Sequence, residues 1–254
     1  MSVAVCYFSG TGNTLWSAKK IAAGLSSAYL VNIGGKDVPN EIVADAAVIL
    51  FPAYAYGVPT IVRKLIKQTR FTCTYTAILT TYGSKPGGAL AEAARLYRRA
   101  QGRRPNYMAG IPAQENFLPL FGAVDPKKEP SRRAMQAETT QQALDAIDKY
   151  ETRKVYRFRP FSSLVSGLFR FARPLLPRFY KVSAERCTGC GICEQVCPVG
   201  AAELKDGKAV FNKKCEICMA CLNRCPKNAV KFWRLKFDTP RYFHPEEAAE
   251  KTGQ

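Results

Sequence analysis

The chain has 254 residues, 47% hydrophobic and 23% charged, a balance that excludes the disordered, collagen-like and multi-span membrane classes. Its length suits one large domain or two small ones, and two is the expectation. Its net charge of +18 divides as +8 over residues 1–150, +7 over 151–186 and +3 over 187–254; with no zinc-finger, helix-turn-helix or RNP spacing beside it, that charge gives no nucleic-acid reading.

In chain order, the first 150 residues alternate strand and helix signals, the pattern of a parallel sheet covered by helices. Strands are expected at Val3–Phe8, Tyr29–Ile33, Ala46–Phe51, Thr74–Thr81 and Tyr107–Ile111. Helical spacing falls at Thr14–Gly24, Thr60–Gln68 and Ala89–Gln101, and a polar-rich helix over Glu129–Glu151 closes the unit. The start, Met1 to Phe8, reads as a first strand rather than a leader peptide. Residues 1–152 are therefore expected to form the first domain, 153–180 a Pro-rich basic amphipathic linker, and 181–254 a second domain with a tail. In the linker, Phe161, Leu164, Val165, Leu168 and Phe169 fall on one helical stripe, followed by Phe171, Leu175, Leu176 and Phe179, with Arg157, Arg159, Arg170, Arg173 and Arg178 between them. The stripe is too short and too charged to span a bilayer, which needs roughly 20 mostly apolar residues. It either docks the two domains together or meets an acidic redox partner or an anionic membrane surface.

Eight of the ten cysteines lie between Cys187 and Cys225. That clustering reads as metal ligation in a reducing cytoplasm rather than as a secreted disulfide framework. Cys187, Cys190, Cys193 and Cys197 recur 28 residues later as Cys215, Cys218, Cys221 and Cys225, and Pro198 recurs as Pro226. Each half reads Cys-x2-Cys-x2-Cys-x3-Cys-Pro, the bacterial spacing for cubane 4Fe-4S clusters. Three cysteines of a tight loop reach three irons of one cube, and the fourth, on a short helical turn, points at the other. Cys187, Cys190, Cys193 and Cys225 are thus expected to hold one cluster, and Cys215, Cys218, Cys221 and Cys197 the second. Paired Cys-x2-Cys zinc is the alternative, and the doubled run with its prolines disfavours it. Small residues in these loops, among them Gly189, Gly191, Gly200, Ala201 and Ala220, let backbone amides approach the sulfurs. Residues 180–237 resemble a two-cluster bacterial ferredoxin.

The loop Ser9-Gly10-Thr11-Gly12-Asn13-Thr14 follows an apolar strand and opens a helix. Hydroxyls and amides at the positive end of a helix suit a phosphate monoester without a lysine. Leu15 stands where a dinucleotide loop needs its third glycine, and a Gly-Lys-Ser/Thr is missing. With Tyr7 and Ala18 in register, the run resembles the flavodoxin signature for the phosphate of FMN. Two more loops fall after the carboxyl ends of the third and fourth strands, where an α/β sheet puts its ligand. One carries Pro52, Ala53, Tyr54, Ala55, Tyr56 and Gly57, the other Thr81, Tyr82, Gly83, Ser84 and Gly87. Tyr56 and Tyr82 are the first choices for flanking an isoalloxazine.

The whole chain resembles anaerobic fusion proteins in which a flavodoxin-like domain precedes a two-cluster ferredoxin domain. The resemblance implies an α/β five-stranded parallel sheet in order 2-1-3-4-5, an α+β ferredoxin domain, FMN, two 4Fe-4S clusters and electron transfer; the positive charge, which stays at about +12 with cofactors counted, points to an acidic redox partner such as a ferredoxin, oxidoreductase or redox complex. A soluble carrier is the leading expectation. An FMN-dependent reductase fed by its ferredoxin domain, or a docked subunit of a larger complex, are the others. No catalytic residue is assigned: neither Ser9 nor Ser84 sits in Gly-x-Ser-x-Gly, and His244, the single histidine, reads as structural or surface. Cys6 and Cys73 read as small buried hydrophobes.

Overall fold

A computed structural model describes residues 2–34, 38–153 and 160–247. Five parallel strands, β1 (Val3–Tyr7), β2 (Ala28–Asn32), β4 (Ala46–Pro52), β6 (Tyr75–Tyr82) and β7 (Tyr107–Pro112), form one sheet in the order β2-β1-β4-β6-β7. Two short strands, β3 (Glu41–Val43) and β5 (Arg70–Thr72), pair with each other outside it. Three residues each, with alternating exposure, they carry too little pattern to be read from the chain alone. Among the main strands the order is 2-1-3-4-5, as the resemblance implied.

Strand periodicity of two sends Ala4, Cys6 and Phe8 to one face with Ile49 and Phe51, and Val3 and Val5 to the other with Val48 and Leu50. Helices α2 (Thr60–Gln68) and α3 (Ala89–Gln101) cover the first face, α1 (Asn13–Gly24) and α5 (Glu129–Asp148) the second. Strand β4, buried on both faces, is therefore continuously apolar, and each such side chain contributes about 1.5–3 kcal/mol on burial. Cys6 is fully buried there, and burial pushes its thiol up to about 12. Because all five strands are parallel, the loops after β1, β4, β6 and β7 emerge at one edge.

The cysteine region repeats structurally with its 28-residue sequence step. Helix α7 (Ile192–Gln195) recurs as α8 (Ala220–Asn223), and strands β8 (Tyr180–Val182) and β9 (Ala202–Lys205) recur as β10 (Lys208–Phe211) and β11 (Val230–Phe232). Pairing is exchanged: β8 binds β11, and β10 binds β9, both antiparallel. Left-handed residues also recur in step, Gly189 with Ile217, Gly191 with Met219, and Gly200 with Asn228.

Between the two parts, α4 (Leu118–Phe121) follows β7, and α6 (Pro160–Ala172) runs into a 3-10 segment, Arg173–Phe179. The expected single stripe divides over two faces. Val165 and Phe169 turn toward the protein, whereas Phe161, Leu164, Leu168, Phe171 and Leu175 are exposed. Inward positions go instead to Ser162 and Ser166, which are buried where α6 crosses the loop at Gly57. Arg157 and Arg159 lie outside the described residues. No helix among the described residues is long and apolar enough to cross a membrane.

Candidate functional site

At the carboxyl edge of the sheet the loops enclose a cavity of about 360 Å³. Ser9, Gly10, Thr11, Asn13 and Thr14 form one wall, Pro52 to Tyr56 and Thr81 to Ser84 others. Gly12, Gly57 and Gly87 do not line it. Each is a point of close packing behind the wall: a Cβ at Gly12 would meet His244, at Gly57 Ser166, and at Gly87 the Tyr56 ring. The remaining wall was not read from the sequence. It comes from the loop after β7, Ala113 to Phe117, from Val165 and Phe169 of α6, and from Ile217, Cys218 and Met219 of the second cysteine motif. The first of these was legible, since the rule that picked the loops after β4 and β6 applies equally to β7.

The amino-terminal loop is preorganised. Gly12, at φ +96°, caps α1, and its N–H donates to Ser9 Oγ at 3.2 Å. Thr14 Oγ1 hydrogen-bonds Thr81 Oγ1 at 2.7 Å, which ties the first loop to the third. Thr11 Oγ1 accepts from Asn116, and Asn13 Nδ2 donates to the Gln114 carbonyl at 2.9 Å, so the β7 loop is drawn onto the same wall. Buried hydroxyls and helix amides, with no lysine or arginine in the loop, match a dianionic phosphate at a helix amino terminus.

Tyr54 and Gly57 exchange both backbone hydrogen bonds, at 3.0 and 2.9 Å, around Ala55 and Tyr56 at φ +45° and +65°. Two successive left-handed residues are usual in a tight turn of type I′ only when glycine or asparagine supplies them. Here the turn keeps Tyr56 at the wall at the cost of backbone strain, a trait concentrated in functional loops. Tyr54 lies deeper, edge-on to Phe8 at 6.1 Å, and burial raises its phenol well above the ordinary range.

The cysteines fall into two groups. Cys187, Cys190, Cys193 and Cys225 line one small cavity, shared with Leu204, Ala209 and Ala229. Cys215 and Cys221 are buried in the core of the cysteine region, and Cys218 faces the larger cavity. Burial, followed by repulsion from Cys215, pushes the Cys218 thiol up, and burial followed by Cys218 and Cys215 does the same to Cys221; Cys197 contributes to both. A thiolate set so buried would need compensating positive charge beside it, as a bound metal supplies. Backbone N–H groups already aim at the sulfurs in repeat-related pairs: Ala201 to Cys197 Sγ at 3.0 Å and Ala229 to Cys225 Sγ at 3.2 Å, with Ile217 to Cys215 Sγ at 3.4 Å. Where the first motif places Gly189 and Gly191 in left-handed backbone, the second places Ile217 and Met219, whose buried side chains complete the larger cavity's wall.

Three devices hold the second motif and the α6 region against the α/β unit. Glu216, between two cysteines, accepts the Thr60 and Ile61 N–H groups at 3.0 and 3.1 Å and so caps α2 from another part of the chain. Arg173 donates to the carbonyls of Lys214 and Cys215 at 3.0 and 2.6 Å. Beneath α6, Glu92 pairs with Arg63 and, at 3.0 Å, with Arg170. The tail then returns to the amino-terminal loop. The His244 N–H donates to the Thr11 carbonyl at 2.9 Å, its ring stacks on Trp16 at 5.1 Å, and Tyr242 Oη bonds Asn13 Oδ1 at 2.7 Å. His244 is therefore structural and not a surface residue, and burial lowers its pKa to about 4.

Comparison with known proteins bears on the two parts separately. The family of 4Fe-4S binding domains matches residues 180–203. A ferredoxin-like protein in the nif region of Sinorhizobium fredii is 43% identical over 54 residues, 18% of this chain and 84% of that one. An uncharacterized ferredoxin of Methanocaldococcus jannaschii is 41% identical over 54 residues, 19% of this chain and 70% of its own. Among solved structures, a flavoprotein in complex with FMN from Lactobacillus acidophilus covers 43% of this chain and 92% of its own at 16% identity, with a TM-score of 0.34.

Proposed function

Since the chain belongs to the ferredoxin-like 4Fe-4S proteins through its cysteine region and joins to it a flavodoxin-like α/β unit, we propose that it is a flavo-iron–sulfur electron carrier with one FMN and two crossed 4Fe-4S clusters. The observation that carries this reading is a shared wall. Cys218, of the second motif, borders the same cavity as the phosphate-type loop Ser9–Thr14 and the tyrosine loops.

When bound, FMN supplies one- and two-electron chemistry and the cubanes one-electron chemistry. The residues of the chain hold and separate these groups. Thr11, Asn13 and Thr14 with the α1 amides would take the phosphate, and Tyr56 and Tyr82 would flank the ring. Cys187, Cys190, Cys193 and Cys225 would hold the cluster remote from the cavity, while Cys215, Cys218, Cys221 and Cys197 would hold the one beside it. Glu216 and Arg173 fix the second loop against the sheet, and Ile217 and Met219 keep water from the boundary.

The test is rapid mixing of the anaerobically purified protein with a one-electron reductant. Flavin bleaching should follow cluster bleaching with a first-order rate that does not change with protein concentration. A rate proportional to protein concentration would mean that the two parts exchange electrons only between molecules, and the reading would fail.

A further inference from the structure

The outward face of α6 carries the longest run of exposed large apolar side chains among the described residues. Phe161, Leu164, Leu168, Phe171 and Leu175 follow one another at steps of three and four and are 72, 61, 60, 84 and 53% exposed. That spacing aligns the first four along one side of α6, and Leu175 continues the row into the 3-10 segment. Phe179, four residues beyond Leu175 and also exposed, accepts the backbone N–H of Trp233 at 2.9 Å, and Trp233 is 48% exposed. Contiguous apolar surface of this kind marks an interaction site.

Charge selects the occupant. From residue 152 to 184 the chain has no acidic residue and eight lysines or arginines. Arg170 and Arg173 are consumed internally, by Glu92 and by the backbone of the second motif. Arg178 and Lys181, at the Phe179 end of the row, are exposed, and Arg234 lies over the Trp233 ring at 6.0 Å. A second copy of this chain would bring the same positive charge against the same face. An anionic lipid surface offers both halves of the complement, acyl chains for the phenylalanines and leucines and phosphates for the cations, and an interfacial tryptophan fits the boundary.

We infer that the outward face of α6, with Trp233 beside it, seats the protein on an anionic membrane surface as a peripheral, in-plane helix. This inference does not depend on the cofactor reading.

The experiment is co-sedimentation of the full-length holoprotein with phosphatidylglycerol/phosphatidylcholine vesicles and with pure phosphatidylcholine vesicles. Binding should be strong on the anionic vesicles at about 0.1 M salt, weaken as salt rises, and be slight on neutral ones. Replacing Phe161, Leu164, Leu168 and Phe171 together by serine, all at exposed positions, should lower the partition coefficient about tenfold or more. Replacing Arg178, Lys181 and Arg234 by glutamine should lower it on anionic vesicles only, and unchanged cofactor absorbance would show that both variants fold. Wild-type protein that stays in the supernatant, or a serine variant that binds as well as wild type, would overturn the inference. So would a lipid-free dimer, measured by light scattering, that the serine variant abolishes, because the face would then be a contact between copies.

Discussion

Gly10 of the amino-terminal loop lies so close to Cys218 of the second cysteine motif that a methyl group on its α-carbon would overlap the Cys218 carbonyl oxygen. The two residues are 208 positions apart, and their contact brings the flavodoxin-like and ferredoxin-like parts together. Gly10→Ala should push the second motif away from the cavity, with a destabilisation of about 1–3 kcal/mol by overpacking. Thermal unfolding of the holoprotein and the flavin bleaching rate check this. A variant as stable and as fast as wild type would show that the interface has slack.

Ligation in crossed sets makes a stoichiometric and a positional prediction. Anaerobic protein should contain about eight iron and eight acid-labile sulfides. Cys225→Ser should perturb the paramagnetic signal of the cluster held by Cys187, Cys190 and Cys193, and Cys197→Ser that of its counterpart. Zinc in place of iron, or each substitution damaging the cluster of its own motif, would contradict the arrangement.

The loop hydroxyls predict how FMN and riboflavin differ. Thr11→Val and Thr14→Val each remove a donor near a charged phosphate, worth about 1.5–3 kcal/mol, so FMN affinity should fall roughly 10- to 100-fold. Riboflavin, without the phosphate, should lose much less. Fluorescence titration of the apoprotein with both flavins measures the ratio, and equal losses would place the phosphate elsewhere.

The tail should respond to pH through His244. Its ordinary value is 6.5, and burial holds it at about 4 in the folded protein. Protons therefore bind the unfolded chain more readily between these values. Stability is complete above about pH 6.5, falls by up to about 1.4 kcal/mol per pH unit as pH drops toward 4, and levels off below. His244→Phe, which keeps an aromatic ring over Trp16, should flatten that part of the pH–stability profile from chemical denaturation. An unaltered slope would assign the dependence to other groups.

Arg173 was expected among the partner-facing cations of a basic linker, yet it is tied to the carbonyls of Lys214 and Cys215. Arg173→Gln should therefore lower stability by about 1.5–3 kcal/mol and reduce iron content, whereas Arg178→Gln should leave both unchanged. Iron assay beside calorimetry separates the two outcomes.

Much of this protein is legible in the order of its residues because the signals are local. Apolar runs such as Ala46–Phe51 need only their own composition to read as buried strands, and Ser9–Thr14 announces an anion loop by its place between a strand and a helix. The cysteine motifs repeat at an interval of 28, and the same interval governs the helices, strands and left-handed residues built around them. Tertiary structure decided what depends on contacts between distant segments. The faces of α6 separate because Glu92, 78 positions before Arg170, anchors one side of the helix and leaves the other in water, and helical spacing alone carries no information about that partner. Glu216 caps α2 across 155 and 156 positions, and His244 closes over Thr11 from the end of the chain. Ile217 and Met219 stand in left-handed backbone where their repeat partners are glycines, because only the second motif faces the cavity. A repeat makes two motifs equivalent in sequence, and the asymmetry of what each is packed against makes them different in role.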